Sequence, residues 1–270
     1  MKKDKILLFI PAYNCERQIL RVLNQVDENI QQFISEIIVV NNRSTDNTEN
    51  VAAEYIASHK ELNIKLLRND ENYGLGGSHK VAFKYATKNN FDYIIVLHGD
   101  DQGHIRDIMP VIQNGSYHNM DSCLGARFIK GSVLSGYSKF RSFGNRAYNL
   151  LFSIVLRKRV YDLGSGLNMY KVESLKNEYY RKYKDNLMFN YCMILAIDFY
   201  KQNTIFFPVD WSEDDQVSNV KMMSQALSVL KMLFSYAVNR RKFMSMELRD
   251  LIRENYTAQV IAETIDGCPM

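Results

Sequence analysis

Apolar residues recur in a fixed rhythm over the first hundred positions: a short unbroken run, a polar loop, then an i, i+3, i+4 stripe. Ile6 to Ile10 is such a run, PAYN follows with Asn14 placed to cap a helix, and Ile19, Val22, Leu23, Val26 and Ile30 then share one helical face. Glu36 to Val40 is a second run, closed by NNRSTDNTE. In that loop Asp46 and Glu49 have capping-box spacing ahead of a helix that turns Val51, Ala52, Tyr55 and Ile56 inward. Ile64 to Leu67 and Tyr93 to Leu97 are the third and fourth runs, separated by RNDENYGLGGSHKVAFKYA. Runs with no polar alternation are strands buried on both faces, and four of them alternating with three helical stripes predict an α/β fold with a doubly wound, mostly parallel sheet.

In such a sheet, ligands bind beyond the carboxyl ends of the strands. PAYN, NNRSTD and HGDDQ are therefore expected to meet above one edge. The fourth run delivers His98, Gly99, Asp100, Asp101 and Gln102 there. Closely spaced acids with an amide oxygen are hard donors suited to Mg²⁺ or Mn²⁺, whose remaining ligands would be phosphates and water. Gly74, Gly76 and Gly77 precede a helix opened by Ser78. That loop could let backbone amides approach an anion, or it could be a flexible turn; it lacks the Gly-Lys-Ser/Thr of a Walker motif.

Composition narrows the class. The 270 residues are 46% hydrophobic and 24% charged, which excludes a disordered or fibrous chain. A net charge of +4 is too small to argue for nucleic acid, so none is expected as a partner. Cys15, Cys123, Cys192 and Cys268 are widely spaced, without zinc or disulfide patterning, which points to a reducing compartment. The lysines before the first apolar run suggest a signal peptide, but the run breaks at Pro11 and is expected to be a strand. No stretch of about 18 apolar residues predicts a membrane span.

The second half is less regular. Between Ser135 and Arg159 the apolar NLLFSIVL is flanked by Lys139, Arg141, Arg146, Arg157, Lys158 and Arg159. That composition suits a helix on an anionic membrane surface, and equally a helix packed on the sheet with a solvated basic end. Ile205 to Trp211 is a late strand followed by the acids Glu213, Asp214 and Asp215. From Lys221 the pattern is helical, with Leu227, Leu230, Phe234 and Val238, then NRRK, then a final helix expected from Ser245 to about Glu263. This divides the chain into residues 1–220, the sheet domain, and 221–270, a helical tail for membrane contact or homo-oligomerisation.

In order, IPAYN, IIVVNNRSTDNT, NYGLGGSHKVAF, VLHGDDQ, LGARF and DLGSGLNMY resemble the motifs of family 2 glycosyltransferases, inverting enzymes with the nucleotide-diphosphosugar-binding GT-A fold. The pattern is most similar to the polyprenyl-phosphate sugar transferases of the dolichol-phosphate mannose synthase type. The resemblance implies a nucleotide site made of Pro11, Tyr13, Asn14, Asn41, Asn42, Gly74, Gly77, His98 and Asp100. It places Asp100 and Gln102 at the metal, with His98 where the family's first metal Asp stands. Gly125 and Arg127 match its Gly-x-Arg, and Asp162, Ser165 and Gly166 its Asp-x-x-Ser-Gly, so Asp101, Gly125, Arg127, Ser165 and Gly166 are implied near sugar and acceptor. Asn41 and Asn42 replace the usual acids of the second loop, and Asn168 replaces an Arg.

The implied reaction moves a sugar from a UDP- or GDP-sugar to a lipid-linked acceptor in polysaccharide or glycoconjugate synthesis, at the inner face of the cytoplasmic membrane. A hydroxyl acceptor needs a base, whereas a phosphate acceptor is already ionised. The family's catalytic acid aligns near Asn190, which leaves Asp214, Glu213 and Asp185 as candidates. Where polyprenyl-phosphate enzymes carry a cation, the run Glu213 to Asp215 would repel a phosphate, so a sugar hydroxyl is expected as the acceptor and a polyprenyl phosphate is the alternative. A nucleotide-sugar-binding subunit without turnover also fits the lost acids. A nucleotidyltransferase does not, because PAYNCE is not its basic Gly-rich loop.

Overall fold

The computed structural model describes residues 3–213 and 222–264. Its strands are β1 (Ile6–Ala12), β2 (Glu36–Asn41), β3 (Ile64–Asn69), β4 (Tyr93–Leu97), β5 (Ser122–Ala126), β6 (Leu134–Ser135), β7 (Leu167–Lys171), β8 (Thr204–Pro208), β9 (Trp211–Ser212) and β10 (Ala258–Glu263). The α-helices are α1 (Ile19–Leu23), α2 (Glu28–Gln31), α3 (Thr48–Ser58), α4 (Gly74–Lys88), α5 (Met109–Gln113), α6 (Lys139–Leu156), α7 (Phe189–Phe199), α8 (Met222–Val238) and α9 (Arg240–Ser245).

Eight strands form one sheet in the order β10-β3-β2-β1-β4-β7-β5-β8, and β6 pairs with β9 in a separate two-stranded ribbon. The large sheet is parallel except for β7, antiparallel to β4 and β5, and β10, antiparallel to β3. The alternation of strand side chains splits the core in two. Leu7, Phe9, Ile94 and Val96 join one cluster with α4, α7, α8 and α9, while Ile6, Leu8, Ile10, Ile95 and Leu97 join the other with α1, α3 and α5. The mostly parallel α/β sheet is thus as the apolar runs predict, and the winding reverses between β1 and β4, the position at which sheets of this kind form a ligand crevice beyond their carboxyl ends.

Several local expectations are corrected. The glycines before Ser78 are not a loop: α4 begins at Gly74, so Gly74, Gly76 and Gly77 form its first turn. Asp46 does accept from the backbone and hydroxyl of Thr48, but Glu49 turns to Arg68 and Asn41 instead of closing a capping box. The late strand breaks after Pro208 into β8 and β9. The final helix expected from Ser245 to Glu263 is absent; α9 ends at Ser245 and the chain closes on β3 as β10. Leu248, Leu251, Ile252 and Tyr256 imitate a helical stripe, whereas Val260 and Ile261 between two threonines suit a pleated edge better.

Candidate active site

The loops after β1 and β2 are stitched together by their own polar groups. Asn14, with φ at +50°, donates its backbone N–H to Ser44 Oγ at 3.0 Å, and its Oδ1 accepts from Thr45 N at 2.8 Å. Asn41 and Asn42 are buried at the end of β2. Asn41 donates Nδ2 to Glu49 and accepts from Ser44 N, while Asn42 Oδ1 accepts from Asn69 Nδ2 and Tyr73 N. Glu49 is held below the usual carboxylate range by its hydrogen bonds to Arg68. Thus the acid missing from the second loop has a neighbour in α3 that touches Asn41. Pro11 packs at the crevice, where its carbonyl accepts from Gly99 N at 3.1 Å, and Tyr13 stands half exposed above it.

At the end of β4, His98 donates its backbone N–H to the Gly166 carbonyl at 3.0 Å. Gly166 gives the His98 ring its room there, since a Cβ would lie 3.0 Å from it and the ring would have to shift. The His98 Nε2 is buried without a hydrogen-bond partner among the described residues, and burial, then the charge of Arg127, pushes the ring's pKa down to about 4. Burial raises Asp100 to about 6, against hydrogen bonds from backbone N–H groups at Gln102 and its own position. Asp101 turns away from this pair: its carboxylate takes Arg21 Nε at 2.5 Å and Gln25 Nε2 at 3.0 Å on the side of α1. Among the described residues no group of three or more His, Cys, Asp or Glu converges. One carboxylate with a neighbouring amide still fits a hard cation that draws its other ligands from a diphosphate and water.

Arg127, just past β5, is the most enclosed cation of the site. Its Nε and Nη2 donate to Asp162 at 2.8 Å each, its backbone N–H adds a third bond, and its guanidinium lies 4.8 Å from the Trp211 ring centroid with Phe128 and Tyr137 alongside. Burial opposes both charges, yet Asp162 holds Arg127 above its ordinary pKa and Arg127 holds Asp162 below its own. Gly125 serves the packing beneath: a Cβ there would meet the Leu167 carbonyl at 2.5 Å. The Ser165 hydroxyl is turned onto that same carbonyl at 3.1 Å.

Two of the three candidate bases, Glu213 and Asp185, are described, and each has a cationic partner. Glu213 is tied to Arg141 of α6 at 2.6 Å. Asp185 sits at the start of α4, where its carbonyl accepts from Gly76 N and Gly77 N and its carboxylate binds Lys80 Nζ at 2.6 Å, Tyr256 and Arg253. The amides of Gly76 and Gly77 are therefore used within the chain. Asp214 lies outside the described residues. Asn190, near the start of α7, is buried with Oδ1 unpartnered among the described residues, beside Gly164. Two participants escaped the motif reading. Trp211 covers Gly103 and Arg127, with its Nε1 buried and unpartnered among the described residues, and β9 brings it there by pairing with Leu134. Glu49 is the other; the polar loop before it gave no sign of its distant partner Arg68.

Residues 8–178 match the family model described as "Glycosyl transferase family 2". The chain is 25% identical over 154 residues to a dolichol-phosphate mannosyltransferase of Pyrococcus furiosus, a match covering 57% of this chain and 42% of that enzyme. Among solved structures it is similar to a mannosyltransferase from Pyrobaculum calidifontis in complex with GDP-Man and Mn²⁺, at a TM-score of 0.59, 16% identity, and 88% and 65% coverage of the two chains. It is also similar to glucosyl-3-phosphoglycerate synthase from Mycobacterium tuberculosis in complex with Mn²⁺, UDP-glucose and glycerol 3-phosphate, at a TM-score of 0.59, 14% identity, and 87% and 80% coverage.

Proposed function

The chain belongs to glycosyl transferase family 2, and we propose that it transfers a sugar, with inversion, from a nucleotide diphosphosugar to the phosphate of a lipid-linked acceptor at an anionic membrane surface. The crevice between β1 and β4 takes the nucleotide, with Pro11, Tyr13, Asn14, Asn41 and Asn42 around base and ribose. Asp100 and Gln102 would hold Mg²⁺ or Mn²⁺, which when bound offsets the charge of the departing diphosphate. Arg127, fixed by Asp162, points the reading toward an anionic group near the reacting centre.

One observation carries the choice of acceptor. Asp101, Asp162, Asp185 and Glu213 each have a cationic partner, so none is free to take a proton from a hydroxyl. A phosphate acceptor needs no base. The pairing of Glu213 with Arg141 also offsets the repulsion expected from that acid. A sugar-hydroxyl acceptor would leave Asp214, which lies outside the described residues, as its candidate base.

Two measurements test this. Calorimetry should show UDP or GDP binding that strengthens with Mn²⁺ in the wild type and loses that gain in Asp100→Ala; equal affinities with and without metal in both proteins would remove the metal assignment. With a competent donor, transfer to a polyprenyl phosphate should survive Asp214→Asn. Transfer confined to a glycolipid hydroxyl, and abolished by Asp214→Asn, would replace the phosphate reading with the hydroxyl one.

A further inference from the structure

Helix α6 packs Phe152 and Leu156 into the core but leaves most of its large apolar side chains outside. Phe140, Phe143, Leu150 and Ile154 are 75%, 73%, 61% and 65% exposed, while the polar Asn149 is buried, its Nδ2 donating to the Tyr161 carbonyl at 2.6 Å. Helix α8 lies beside it and adds exposed Leu227, Phe234 and Val238. An apolar face of this size on two adjacent helices is more than the scattered exposure of an ordinary surface.

Along these two helices and the turns after them the charged residues are all cations, of which Arg141 is paired with Glu213 and Arg240 with Asp198. From Lys139 to Arg159 the chain has six cations and no acid, and from Met222 to Lys242 it has Lys231, Arg240, Arg241 and Lys242 and no acid. At the end of α6 the chain turns through Arg157 at φ +55°, which brings residues 157–161 back against the helix and forms an open cavity of about 580 Å³. Arg146, Arg157, Lys158 and Arg159 line it together with Leu150, Ile154 and Val160. None of the four cations has an ion pair among the described residues, and no acid lines the cavity. Four like charges around one concavity repel each other unless an anion enters. Phe128 stands between the cavity and Arg127, its ring centroid 5.2 Å from Arg146 and 5.4 Å from Arg127.

We propose that this cavity is a headgroup site for an anionic phospholipid of the bilayer, seating the lipid phosphate among Arg146, Arg157, Lys158 and Arg159 while the exposed faces of α6 and α8 enter the acyl boundary. The inference rests on the membrane-surface reading above but concerns a site separate from the crevice. Charge and apolar area act together, which is what lasting surface attachment requires.

Sedimentation of the full chain with phosphatidylglycerol and with phosphatidylcholine vesicles, alongside calorimetric nucleotide binding, tests it. The wild type should bind phosphatidylglycerol and not phosphatidylcholine. The Lys158→Ser, Arg159→Ser pair should weaken that binding roughly 30-fold, from the loss of two surface cations. Lys84→Ser with Lys88→Ser on exposed positions of α4 should leave it unchanged, and neither pair should alter nucleotide affinity. Equal binding to phosphatidylcholine, an equal loss in the α4 pair, displacement by inorganic phosphate beyond the effect of chloride at the same ionic strength, or loss of nucleotide affinity in the Lys158 and Arg159 pair would each overturn the headgroup site. If vesicle binding follows the expected pattern while the wild type binds no nucleotide, the donor reading fails and the lipid site stands.

Discussion

His79 and His98 meet edge to face at 6.2 Å inside the α4 side of the sheet, and neither has an acid to support a charge. Burial, then the neighbouring His98, pushes His79 down to about 3, against a hydrogen bond to the Leu75 carbonyl. A histidine whose folded pKa lies below its unfolded value binds fewer protons when folded. Stability is therefore full above the unfolded value near 6.5 and is lost as pH falls toward the folded one. From pH 6.5 to 5 His79 should cost about 2 kcal/mol, and His98 shifts in the same sense. His79→Phe should fit the nest of Phe9, Phe83 and Phe189 and flatten that dependence in urea unfolding at the two pH values. An unchanged slope would show that His79 is not held neutral in the core. The Arg127 and Asp162 pair is a different residue-scale device, since removing either partner leaves a buried charge unmet.

At the scale of the element, α6 carries more large apolar side chains on its outer face than in the core. It is anchored by the buried Phe152 and Leu156 together with Asn149 and the Ser153 hydroxyl, which accepts from Val160 N, and not by its apolar outer face. Asn149→Ala should therefore destabilise the fold by about 1–3 kcal/mol, because the Tyr161 carbonyl loses its donor. Phe143→Ser, on the exposed face, should stay within about 0.5 kcal/mol of the wild type. Chemical denaturation of both variants checks this, and the reverse ranking would mean that the outer face is packed in solution.

At the scale of the whole molecule, the carboxyl-terminal segment is part of the frame. Beyond α9, Arg253 and Tyr256 reach Asp185, which in turn holds the buried Lys80 and the first turn of α4, and β10 then covers the edge of β3. Truncation after Val238 should therefore bare a sheet edge and strip Asp185 of two partners. The expected outcome is a lower melting temperature with aggregation on light scattering, with any loss of lipid binding secondary to it. A truncated chain that stays monomeric with an unchanged melt would make the segment an appendage after all.

The sheet strands of the first half were legible because unbroken apolar runs are a local record of burial on both faces; β4 begins and ends where its run does, and β1 to β3 extend theirs by only one or two residues. The polar loops after them were legible for the same reason, and with them the edge on which a ligand site should form. The resemblance in those loops carried the family as well. Partners were not legible. Arg127 and Asp162 stand 35 positions apart, Glu49 finds Arg68 on a neighbouring strand, and Asp185 gathers groups from α4 and the far end of the chain. Periodicity reports whether a position is covered, not by what, so it could not tell that Asp101, Asp162, Asp185 and Glu213 were spent on cations. The tail shows the limit most directly: the helical spacing of its apolar residues was real, but an open β3 edge with unpaired backbone groups, created only by the tertiary fold, made a strand of its last segment.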